Sequence, residues 1–163
     1  MMQKFNFEVF ADYFQFYLID ENATGTDFSE LWVKQLPQAE QQMVAVTDGV
    51  IGVITRRNTD VPVVVEVNEA EPLENYQEWD QVTDCSINIL SGQLIIGGAT
   101  EDLTSAARIK VKPGTYRVRI FYGSLDSVSA NGLDGEDHYK IVLWSAPLSR
   151  VVIVKQWNSQ KYS

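Results

Sequence analysis

Histidine and cysteine are almost missing from this sequence: His138 and Cys85 occur once each. A lone cysteine closes no internal disulfide, so nothing calls for an oxidising compartment. A tetrahedral zinc site draws on several Cys and His ligands, and none is available in that number. Long apolar runs are missing too: no stretch approaches the roughly 20 residues that a membrane-spanning helix requires. The apolar start "MMQKFNFEVFADYFQFYLID" is broken by Glu8, Asp12 and Gln15 and has no small-residue cleavage site after it, so it reads as strand rather than signal peptide. These absences predict a cytoplasmic protein without membrane contact.

Basic residues are missing from one third of the chain. Residues 58–107 hold ten acids and no Lys or Arg, whereas 108–163 hold nine bases against four acids, within a net charge of -9. Such a field repels nucleic acid and steers cationic proteins. The acids gather in "EVNEAEPLENYQEWDQVTD", which carries Glu66, Glu69, Glu71, Glu74, Glu78, Asp80 and Asp84 with Tyr76 and Trp79 among them. A run of charge is ordinarily a solvated loop. The sharper reading is a docking surface for a basic partner, in which the two aromatics act as hot-spot residues.

Catalytic and cofactor signatures are also absent. No Walker or Rossmann glycine motif occurs, and the glycines of "GVIGVIT" and "IIGGAT" sit inside strand patterns, where bulges or close packing explain them. A Ser-His-Asp triad would have to use His138, yet Ser127 and Ser129 lack the strand-turn-helix elbow that exposes a nucleophile. The loop "SANGLDGEDHYKIVLW" concentrates Asp134, Glu136, Asp137 and His138, but neither Gly132 nor Gly135 sets an EF-hand register. It reads as a polar hairpin tip with His138 bonded to its own loop, or at most a weak cation site. A hydrolytic carboxylate pair drawn from Asp126, Asp134, Glu136 and Asp137 is the weakest alternative. No catalytic residue, metal or cofactor is expected.

What is present suits a single β-domain over 1–163. The chain is 45% hydrophobic with four Trp, seven Tyr and seven Phe, and turn signals separate short runs of Val, Ile, Tyr and Phe. The pattern predicts a two-sheet antiparallel β-sandwich of jelly-roll type. "CSINILSGQLIIGG" reads as a hairpin about Ser91 and Gly92. In "GTYRVRIFYG", Tyr116, Val118, Ile120 and Tyr122 share a buried face, with Arg117 and Arg119 on a solvent face. "VPVVVEV" and "YKIVLW" read as central strands covered on both faces. Phe28, Leu31, Trp32 and Leu36 have helical spacing; with Asp27 as cap, Glu30 three residues on and Pro37 as stop, one short helix is expected over 27–36, lying over an open end or edge of the sandwich. Cys85 reads as a buried inert thiol, and Trp144 and Trp157 as packing rather than a sugar platform. Arg56 and Arg57 flank a turn, at most one of them pairing with an acidic loop. An exposed sheet edge offers a route to a homodimer.

The strings "DFSELWVKQLP", "AVTDGVIGVITRRNTDVPVVVEV" and "ARIKVKPGTYRVRIFY" together resemble the bacterial competence protein J family, inhibitors of a DNA-entry nuclease. The likeness rests on the Trp-bearing helix, the Asp48-Gly49 turn, the triplet Arg57, Asn58, Thr59 between two apolar strands, and the late Pro-Gly turn. It spans about 12–122; the segment "YGSLDSVSANGLDGEDHYKIVLW" resembles a group of uncharacterised bacterial proteins instead. The resemblance implies a non-enzymatic protein that binds and blocks a nuclease. The alternative is a small-ligand or carbohydrate-binding sandwich.

Overall fold

A computed structural model describes residues 2–159. Strands β1 (Gln3–Phe10), β5 (Asp60–Asn68), β6 (Gln81–Ile89), β9 (Gly114–Gly123), β10 (His138–Ser145) and β11 (Val152–Lys155) form one sheet in the order β1-β5-β10-β9-β6-β11. Strands β2 (Gln15–Asp20), β3 (Val44–Thr47), β4 (Val50–Ile54), β7 (Gln93–Gly98) and β8 (Ala107–Lys110) form the second, ordered β3-β4-β2-β7-β8. The expected two-sheet sandwich is what the chain adopts. One pairing departs from it: β10 runs parallel to β5, placing Tyr139 beside Val63 and Ile141 beside Val65. A parallel neighbour needs a long crossover, and residues 69–137, with β6 to β9 among them, lie between those two strands.

The core between the sheets is built by period-two alternation. Val61, Val63 and Val65 of β5, Tyr116, Val118, Ile120 and Tyr122 of β9, and Ile141 and Leu143 of β10 point inward against Phe16 and Leu18 of β2 and Ile51 and Val53 of β4. Cys85 joins them, fully buried, and burial pushes its thiol up to about 12. The inward set of β9 is the one its alternation predicts. The outward set is not: Arg119 is only 6% exposed and Phe121 is fully buried, so the half-exposed strand expected there is covered on both sides. β5 departs the other way, with Pro62 exposed and Val64 half-exposed beside edge strand β1.

The expected hairpin at 85–98 is not formed. β6 pairs with β9 and β11, β7 pairs with β2 and β8, and the link between them crosses from one sheet to the other. Buried Asp20 on β2 accepts a bond from the Ser91 backbone N at 3.2 Å and one from its hydroxyl, and Gly92 takes φ 73° against the Val111 carbonyl. Those contacts come from β2 and from the residue just after β8, so the link turns a corner rather than returning the chain beside β6.

Helix α1 (Phe28–Gln35) forms as expected, with the Asp27 carboxylate accepting from the Glu30 N–H at 3.2 Å. A second turn, α2 (Gln38–Gln42), which the spacing did not signal, ends on Met43 at φ 61°. α1 lies over the outer face of the second sheet rather than an open end, with Gln35 bonded to Val46 of its edge strand β3, so the edge half of the expectation holds. Phe28 stacks on Tyr17 at 3.8 Å, and the Trp32 indole N–H donates to the Tyr17 hydroxyl at 2.7 Å. Gly52 makes this approach possible: a Cβ there would lie 2.6 Å from the Trp32 ring. Close packing therefore explains this strand glycine, as one of the two sequence readings held.

Candidate functional site

The acidic segment 69–80 has no regular structure and is a strap across the outer face of the six-stranded sheet. Its seat is a row of cross-strand neighbours: Glu66 on β5, Val142 on β10, Arg119 on β9 and Asp84 on β6. Arg119 forks onto Asp84 with bonds of 2.8 and 2.9 Å and reaches Glu71 of the strap at 2.9 Å. Its guanidinium lies between the Trp144 ring at 5.0 Å and the Tyr76 ring at 5.6 Å. The Asp84 hydrogen bonds dominate and hold its pKa above the ordinary arginine value. Lys140 does the same for the other half of the strap, 2.9 Å from Glu74 and 3.6 Å from Glu66. Tyr76 and Trp79 face inward onto Phe121 at 6.0 and 5.2 Å, sealing a small apolar cluster with Val82 and Val142.

The nine residues selected from the acidic run thus divide. Glu66, Glu74 and Asp84 are held in internal ion pairs, Tyr76 and Trp79 are packing groups, and Asp80 accepts the Leu125 N–H at 2.8 Å. Glu69, Glu71 and Glu78 are exposed, Glu71 while paired with Arg119. Leu73 was not among the nine, yet its side chain is entirely in solvent at 104% relative exposure. A leucine inside a run of glutamates carries no periodic signal, and only the inward turn of Tyr76 and Trp79 shows which side of the strap is left outside.

Asp134, Glu136, Asp137 and His138 do not converge on a common point. Asp137 is fully buried, its carboxylate accepting from Arg57 Nε at 2.7 Å and from the Tyr139 hydroxyl at 2.5 Å. Burial, with the Asp137 charge second, holds the Tyr139 phenol well above its usual range. His138 Nδ1 lies 3.2 Å from the Glu136 carbonyl oxygen, and its ring packs 5.0 Å from Trp79. Asp134 and Glu136 point to solvent. No three Asp, Glu, His or Cys side chains gather at metal-binding distance among the described residues. What the loop does instead is meet the strap: the Trp79–His138 contact joins the two acidic segments that the sequence presents as separate.

Beside that junction is a feature the sequence did not reveal. Tyr13 and Phe14 follow one another at φ 60° and 62°, a left-handed conformation costing on the order of 1 kcal/mol or more for each such residue, and they stand 66% and 41% exposed. Asn58 and Thr59 hold the turn there. The Asn58 side chain accepts the Tyr13 N–H at 2.7 Å, its backbone N–H binds the Gly132 carbonyl at 2.7 Å, and the Thr59 carbonyl accepts from Ala11 at 3.0 Å. Leu133, 49% exposed, lies next to Gly132 on the same loop. Trp144 is buried and Trp157 half-buried against the core, Arg56 lying over its ring at 4.9 Å, which leaves no flat sugar platform at either tryptophan.

No family model and no curated protein matches this chain. Two solved structures share its fold. ComJ from Bacillus subtilis, an inhibitor of the DNA-degrading activity of NucA, superposes with a TM-score of 0.64 and 17% identity, over 90% of this chain and 99% of that one. A second solved structure, crocagin biosynthetic gene J, superposes with a TM-score of 0.57 and 16% identity, over 90% of this chain and 98% of that one. The chain has a ComJ-like sandwich fold. No helix among the described residues is long and apolar enough to cross a membrane.

Proposed function

We infer that this chain is a non-enzymatic interaction protein that occludes the active groove of a basic nuclease or toxin. The observation that carries this reading is the division of labour in the strap. Glu71 and Glu74 meet Arg119 and Lys140 beneath it, and Tyr76 and Trp79 anchor it, so Glu78 and Leu73 are presented with little ordering left to do on binding. Acids around an apolar anchor fit the wall of a groove that evolved for phosphates, with the exposed glutamates standing where phosphate charge would lie. The ComJ-like fold points in the same direction, and the DNA-entry nuclease inhibitors that the sequence resembles supply a precedent. A cytoplasmic location and a one-to-one complex belong to this proposal.

The test starts with capture of the tagged protein's partner from its own cell lysate at low and high salt, since contacts between exposed charges are screened beyond roughly 10 Å at 0.1 M. DNA degradation by the captured nuclease is then titrated with the native chain and with Leu73→Asp combined with Glu78→Lys. Both positions are exposed, so stability should hold within about 0.5 kcal/mol. Full inhibition by this variant would remove the strap from the interface, and capture of no nuclease would remove the inhibitor reading itself.

A further inference from the structure

The end of the sandwich opposite the Tyr13–Phe14 loop carries a cleft of about 850 Å³, within the roughly 300–1,000 Å³ of small-molecule sites. It opens between the end of β5 and the turn that joins β8 to β9. Val67, Val111 and Tyr116 form its floor, and all three belong to or pack against the central core. One wall is fixed in shape: the Tyr116 hydroxyl donates to the Lys112 carbonyl, and the Val111 N–H binds the Gly92 carbonyl at 2.9 Å.

The charge of the rim runs against the rest of the molecule. In this acidic chain Lys34, Arg57, Arg108, Arg119 and Lys140 are each held by a carboxylate. Lys110 and Lys112, two residues apart on the cleft, are in no ion pair among the described residues. Glu69 is the single acid on the lining, so the amines outnumber it. The Asn68 side-chain nitrogen, also on the lining, is buried and donates to no protein acceptor among the described residues. Two ammonium groups and a buried amide donor above an apolar floor call for a ligand with an anionic, acceptor-only head and a hydrocarbon body.

We propose that this cleft binds a small anionic amphiphile, its head between Lys110, Lys112 and Asn68 and its body over Val67, Val111 and Tyr116. Decanoate, decyl phosphate and decylammonium, each below its micelle concentration, separate the possibilities by calorimetry and by amide shifts in labelled protein. Saturable binding of an anion, with decylammonium at least tenfold weaker and shifts centred on 67–69 and 110–116, is the expected result. Binding of decanoate alone assigns a carboxylate head, and of decyl phosphate alone a phosphate head. Lys110→Ala with Lys112→Ala, both at exposed positions, should weaken the anion roughly tenfold while leaving the fold intact. Absence of saturable binding for both anions, equal binding of decylammonium, or an unchanged affinity in the double variant overturns the proposal.

Discussion

Replacing Arg119 by methionine removes the cation under the strap while keeping an apolar stem between Tyr76 and Trp144. The Asp84 side chain, 10% exposed, then holds a charge with no cation beside it. Breaking a buried pair from one side costs on the order of 3–5 kcal/mol. Glu71, at 56% exposure, adds no more than a surface pair does, below about 1 kcal/mol, so nearly all the loss arises at Asp84. At roughly 2–4 °C per kcal/mol for a chain of this size, Tm should fall by about 10 °C. Adding Asp84→Leu should recover part of that loss, because an apolar pair replaces the stranded charge. Urea unfolding followed by tryptophan fluorescence gives the stabilities, and hydrogen exchange of amides 69–80 reports whether the strap detaches before the sheet opens. A single variant within about 1 kcal/mol of the parent, or a double variant less stable than the single one, would refute the assignment of Arg119 as the strap's anchor.

Asp137→Asn should cost about 2–3 kcal/mol through the lost charge at Arg57, and millimolar calcium should raise the Tm of neither protein; a calcium-dependent rise that the variant abolishes would restore a cation site at this loop. Burial pushes the Cys85 thiol and the Tyr17 phenol up to about 12, from ordinary values of 9.0 and 10.0. The folded state therefore keeps protons that the unfolded chain releases, so stability is complete below pH 9 and falls between 9 and 12, by up to about 1.4 kcal/mol per pH unit for each group. Urea midpoints across that range should show the decline, with Cys85→Ala delaying its onset toward pH 10, and a flat profile would contradict the burial of both groups. Gly52→Ala should cost about 1–3 kcal/mol by forcing a methyl into the Trp32 indole, and Trp32→Phe in the same chain should return part of it in a double-mutant cycle.

Local rules were legible wherever one element's own residues decide the outcome. Asp27, Glu30 and the spacing of Phe28, Leu31 and Trp32 announce α1, and Tyr116 to Tyr122 announce the inner face of β9. Outcomes decided by a distant partner were not. The Ser91-Gly92 link has the residues of a hairpin turn, and only Asp20, on another strand, makes it a corner. The acids of 66–84 read as solvated because the chain between 58 and 107 offers them no base, yet Arg119 and Lys140 arrive from β9 and β10 to take four of them. Arg56 and Arg57 were expected mainly to flank a turn, with at most one of them paired to an acidic loop, and Arg57 makes that pairing with Asp137. The left-handed Tyr13 and Phe14 had no glycine or asparagine at their own positions to mark them; their support lies in Asn58.

The parallel partnership of β5 and β10 has a consequence for the order of events during synthesis. β10 is the wedge that joins the β1–β5 ribbon to the β9–β6 ribbon, and it is made after all four. Until it emerges, β5 and β9 each expose an open edge, the condition in which strands pair with the wrong neighbour. Long-range closure of this kind also places folding in the slow range for small domains, milliseconds to seconds. Lys140 rides on that same wedge, so the strap has only one of its two cationic anchors, Arg119, until β10 is in place, with edge strand β11 still to follow. A nascent chain therefore holds its acids on a loose tether, and the strap is tied down at both Arg119 and Lys140 only once β10 has paired with β9 and β5.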